Sequence, residues 1–105
     1  MKKVFLHGKL GSGKFVLVDD EDYQRLHKAK PYMGTKYPYV TINGKPEQVS
    51  NFVYGITAEE LRKIGKVLDH LDRDKMNAQK NNLELKTVAE NNRNRRSWKK
   101  GINNE

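Results

Sequence analysis

A chain of 105 residues without cysteine is of single-domain size and excludes disulfides, thiol catalysis and cysteine zinc ligands. Its formal net charge of +8, from 21 Lys and Arg against 13 Asp and Glu, points to a polyanionic partner, because clustered cations gain affinity by displacing counterions condensed on phosphates. Met1-Lys2-Lys3 precedes only Val4-Phe5-Leu6 before His7, too short an apolar run for a signal peptide, and no stretch is long enough to span a membrane, so a cytoplasmic, non-secreted protein is expected.

In chain order, Lys2–His7 and Lys14–Asp19 are short apolar-rich runs around Gly8-Lys9-Leu10-Gly11-Ser12-Gly13, which predicts a β-hairpin. Tyr23, Leu26 and Ala29 at helical spacing predict a helix over Asp20–Ala29 that ends before Pro31. Tyr37–Ile42 alternates tyrosine with β-branched residues and runs into Asn43-Gly44, a dipeptide that tolerates positive φ at both turn positions. The partner strand is expected over Glu47–Val53. Thr57-Ala58-Glu59-Glu60 is a capping box opening a short helix with Leu61 and Ile64 on its apolar stripe and a stop at Gly65. Val67-Leu68 then starts a strand into Asp69-His70, Asn82–Lys86 reads as another, and a second capping box at Thr87-Val88-Ala89-Glu90 opens a helix to about Lys99.

Gly8-x4-Gly13-Lys14 matches the start of a phosphate-binding P-loop. Phe15 replaces the Ser or Thr that would hold magnesium, and an apolar strand follows where the motif needs a helix N-terminus. A hairpin turn is the expected structure. His7 and His27 have no chemical context and are read as structural.

The chemistry concentrates in residues 67–96. On the C-terminal helix the face centred on Val88 also carries Asn91, Asn92, Arg95 and Trp98, too polar for an ordinary core face. Trp98 reads as the helix anchor. A phosphodiesterase needs a base, a divalent cation and positive charge. Histidine titrates near neutrality and suits the first role. A carboxylate and an amide oxygen are hard ligands that suit the second. Residues 91–105 hold Arg93, Arg95, Arg96, Lys99 and Lys100 against Glu105 alone, half of the excess charge in one seventh of the chain.

The segment resembles the HNH endonucleases, in particular the small phage- and intron-encoded type with Asn as the last letter. Asn82 follows His70 by twelve residues and Asn91 follows Asn82 by nine, as in that family. Leu68-Asp69-His70-Leu71-Asp72, Asn81-Asn82-Leu83-Glu84-Leu85 and Ala89-Glu90-Asn91-Asn92-Arg93-Asn94-Arg95 match its local texture. A weaker likeness joins Gly13–Tyr23 to the arm that often precedes such motifs.

The resemblance implies an α+β fold in one domain over residues 1–105. Its N-terminal arm (1–56) would carry β-hairpins and short helices, and a ββα-metal or His-Me finger motif would span 67–99. It implies Asp69 and Asn91 as ligands of one Mg2+ or Mn2+, with no structural zinc. His70 would be the general base, and Asn82 would hold the loop and the His70 backbone in place. Double-stranded DNA is the implied partner, bound by Arg73, Arg93, Arg95, Arg96, Lys99 and Lys100, with the chain a monomer or homodimer. Two departures stand out: Arg73 occupies a loop position where the family often has Gly, and Asn51-Phe52 stands where relatives commonly carry His-Arg. Arg73 keeps open an alternative, an HNH-like module that binds nucleic acid or protein without turnover. A third reading, a small RNA-binding protein, rests on the charge and on Tyr32, Tyr37 and Tyr39.

Overall fold

The computed structural model describes residues 1–90. They form an α+β fold with three small antiparallel sheets and three short helices. Strands β1 (Lys2–Phe5) and β2 (Phe15–Val18) pair first, with Phe5 opposite Phe15. Helix α1 (Asp20–Ala29) follows, and Lys30 ends it in the left-handed region at φ 53°. Strands β3 (Tyr32–Met33), β4 (Pro38–Ile42) and β5 (Lys45–Gln48) make the second sheet, then come helices α2 (Val49–Tyr54) and α3 (Ala58–Ile64). Strands β6 (Lys66–His70) and β7 (Leu83–Thr87) form the third sheet, and residues 88–90 turn helical behind the Thr87 cap. No helix of the described residues is long and apolar enough to cross a membrane.

The residues between β1 and β2 form a hairpin connection. Gly8 and Gly13 take φ of 87° and 74°, and Lys14 leads into β2 rather than a helix. This is the turn expected of the sequence and has nothing of a phosphate loop. Asn43 and Gly44 sit at φ 51° and 78°, and Ile42 pairs with Lys45 directly across them. This two-residue turn starts the partner strand at Lys45, earlier than the expected Glu47–Val53. Residues 49–54 are helical instead. Their β-branched and aromatic composition suggested a strand, but Val49 and Val53, four apart, bury on one helical face. The short strand β3 was not expected.

One core joins the N-terminal hairpin to the end of the chain. Val4, Val16, Val18 and Leu26 pack in one cluster with Val40, Val49, Val53, Ala78 and Leu83. Residues 76–78 also dock on the free edge of β2. The Leu17 N–H donates to the Met76 carbonyl at 2.8 Å, and the Ala78 N–H donates to the Leu17 carbonyl at 2.8 Å. Asp19 accepts from the Lys80 N–H at 3.1 Å, and the Lys80 ammonium reaches Glu21 at 3.2 Å and the buried Asp22 at 3.4 Å. The β6–β7 connection is therefore held by the first twenty-two residues.

Leu26 is fully buried at the centre of this cluster. Leu26→Ala is expected to cost about 2–5 kcal/mol through lost transfer energy and the cavity left behind, read as a lowered urea midpoint with an unchanged slope.

Candidate functional site

The site grows from a strand, a loop and a strand. Gly65, at φ 69°, ends α3 and turns the chain at once into β6. The registers Asp69↔Glu84 and His70↔Leu83 fix which side chains share a face of the β6–β7 sheet. Asp69 lies with Glu84 and Lys86, and His70 lies with Leu83.

Between the strands, residues 71–77 are organised by one buried amide. Asn82 is 7% exposed. Its Oδ1 accepts from the Asp72 N–H at 3.0 Å, and its Nδ2 donates to Asp72 Oδ1 and to the Asn77 carbonyl, each at 2.9 Å. Its own carbonyl accepts from the Leu71 N–H at 2.8 Å. Asn82 thus acts on the backbone just beyond His70. The His70 carbonyl is bonded by the Arg73 N–H at 2.9 Å. Asn82 sits in the turn before β7, not in the strand itself, which is why its amide can reach back across the loop.

Sequence reasoning missed the second half of this network. Asp72 Oδ1 accepts from the Asp74 N–H at 2.8 Å, Asp72 Oδ2 accepts from Asn77 Nδ2 at 2.8 Å, and Asp74 Oδ1 accepts from the Met76 N–H at 2.9 Å. The i to i+2 spacing of Asp72, Asp74 and Met76 is the available sequence signal, since short carboxylates bond backbone two residues on. The Asn77 amide, followed by the Asp74 N–H and the Asn82 amide, holds the Asp72 carboxyl below its ordinary value.

Arg73 occupies the left-handed region at φ 64°. The loop takes a conformation that favours glycine while carrying an arginine, at a steric cost of roughly 1–2 kcal/mol.

Asp69 and His70 both border a cleft of about 620 Å³, whose other walls include Arg62, Lys66, Arg73 and Lys75. Asp69 Oδ2 accepts from the Lys86 ammonium at 3.0 Å, with the two side chains 30% and 19% exposed. The same ammonium lies 3.8 Å from Glu84, and the hydrogen bond to Asp69 holds it above its ordinary value. Asp69 Oδ1 makes no hydrogen bond among the described residues. His70 Nε2 is buried without a hydrogen-bond partner among the described residues. Burial pushes the His70 imidazole below its ordinary value, against the opposing pull of Asp69, Asp72 and Asp74.

The sequence-derived site is therefore brought together in part. Asp69, His70 and Arg73 border one cleft, and Asn82 braces the loop beside them. Asn91, Arg93, Arg95, Arg96, Lys99 and Lys100, with Trp98, lie outside the described residues. Among the described residues no group of three or more His, Cys, Asp or Glu side chains could hold a metal ion. Asp69 is the one candidate ligand described, and its open oxygen is chemically suited to a hard divalent cation.

Two outcomes follow. Replacing Arg73 by Gly removes the Cβ clash and adds chain entropy to the unfolded state, so Arg73→Gly is expected to stabilise by about 0.5–1 kcal/mol, read from the denaturant midpoint. For Asp72 the folded value lies below the ordinary 3.8. Its contribution is thus full above pH 3.8 and lost as pH falls through the folded value. Asp72→Asn should be less stable than the native chain at pH 7, and the gap should close below pH 3.8. A gap independent of pH would contradict this.

The chain matches no protein-family model, no curated protein and no solved structure, so its functional reading rests on the residues themselves.

Proposed function

We propose that this chain is a metal-dependent DNA endonuclease of the HNH, ββα-metal type. The observation that carries the reading is Asn82. Twelve residues after His70, its buried amide ties the 71–77 loop together, as the resemblance implies for this position, and Asp69 and His70 border a single basic cleft.

The proposed division of work is as follows. His70 takes a proton from the attacking water. Its lowered basicity keeps the imidazole neutral, the state a base must have, at pH 7. With Nε2 buried, the exchange of that proton is assigned to Nδ1. Asp69 and Asn91 would hold one Mg2+ or Mn2+, which when bound supplies Lewis-acid stabilisation of charge on the phosphate and the leaving oxygen. Arg73 and the basic 91–100 segment contribute positive charge toward the phosphate backbone. A site of this kind cuts one strand at a time, so a monomer nicks and a homodimer could cut both strands.

A second reading has specific support. Arg73 is strained at φ 64°, and Lys86 already neutralises Asp69 at 3.0 Å. Both suit a scaffold that binds DNA without turnover.

A plasmid-nicking assay separates the two. Supercoiled DNA should be nicked with Mg2+ or Mn2+ and left intact with EDTA, and His70→Ala should slow nicking by about 10²–10⁴-fold. Full activity in His70→Ala would overturn the nuclease mechanism. Duplex binding without product under either metal would establish the inactive module.

A further inference from the structure

We propose that Arg62, Lys66 and Lys75 form a phosphate-binding track for duplex DNA along the cleft beside Asp69 and His70, made of residues other than the basic C-terminal run. The proposal rests on the nuclease reading for its orientation toward the site, and on these side chains for the rest.

Arg62 lies in the last turn of α3, Lys66 opens β6 and Lys75 belongs to the 71–77 loop. All three border the cleft that contains Asp69 and His70. None has a carboxylate partner among the described residues, whereas Arg25, Lys63, Lys80 and Lys86 are each paired with one. The carboxylate on the cleft wall is Asp69, and Lys86 already neutralises it. The cleft thus gathers cations without carboxylate partners among the described residues, the condition under which binding a polyanion releases counterions.

The same walls argue for a duplex over a single strand. Proteins that hold single strands stack successive bases on open aromatic rings. Tyr37 is the aromatic side chain bordering this cleft, and the Lys75 ammonium lies over its ring at 5.0 Å. One ring already in contact with a cation offers no run of stacking platforms, which suits a nucleic acid whose bases are already stacked on each other.

The test measures binding in EDTA, so hydrolysis plays no part. A fluorescein-labelled random-sequence duplex and the matching single strand are titrated by anisotropy over a range of salt. The proteins are the native chain, the triple variant R62A/K66A/K75A and a control triple variant of exposed lysines outside the cleft, K9A/K28A/K45A. Each phosphate contact contributes about 0.9 to the slope of log affinity against log salt. The cleft variant should therefore lose about 2–3 from the slope's magnitude, with its thermal midpoint near the native one, and the control should lose markedly less. An unchanged slope, or an equal loss in both variants, would overturn the track. A single strand bound as tightly as the duplex would overturn the duplex assignment. The slope result holds whether or not the native chain nicks plasmid, so failure of the nuclease reading is seen separately.

Discussion

The candidate site depends on one buried amide. Asn82 contacts the backbone or side chains of Asp72 and Asn77 through three part-buried side-chain hydrogen bonds, and its own amide is buried, so an unmet partner there is costly. Five of the seven residues in the loop it closes are polar or charged; Leu71 is half exposed and Met76 packs against the core. Closing it fixes where β6 ends, and so where Asp69 and His70 stand. The N-terminal hairpin enters the same account, because β2 and Asp19 hold residues 76–80 from the other side. The hairpin and α1 act as the loop's outer brace, which gives a chain of this size a rigid site without a large core.

Two features run against stability near that brace. Arg73 holds a left-handed backbone angle that glycine would take freely, and His70 buries a nitrogen without a partner among the described residues. Strain and unmet polar atoms gather where a fold serves chemistry rather than packing. Lys86 adds a balance of charge. Its ammonium keeps Asp69 and Glu84, directly opposed across the strands, from repelling one another, and it is the charge that a divalent cation at Asp69 would compete with.

Much of this was legible in the sequence wherever local chemistry decides structure. The Thr57 box forms both of its reciprocal bonds, and Thr87 and Glu90 form theirs. Asn43-Gly44 makes its tight turn, and Gly65 stops α3 in the left-handed region. The resemblance implied a bracing role for Asn82, and the structure places Asn82 buried, with its side-chain amide bonded to Asp72 and Asn77. Residues 49–54 were not legible, because Val49, Phe52 and Val53 have strand propensity and burial on one helical face overrides it. Nor were the cleft walls. Arg62 and Lys66 look like ordinary solvated cations until α3 and β6 set them beside Asp69, thirteen residues before Asn82. Asn91 and the basic segment beyond it carry half of the sequence argument and lie outside the described residues.

The most direct test of the central claim is a calorimetric titration of the native chain with Mn2+, beside Asp69→Ala and His70→Ala. The account predicts one Mn2+ per chain, lost in Asp69→Ala and retained in His70→Ala, because it gives the cation to the carboxylate and the proton transfer to the imidazole. No Mn2+ binding to the native chain, or undiminished binding to Asp69→Ala, would contradict it.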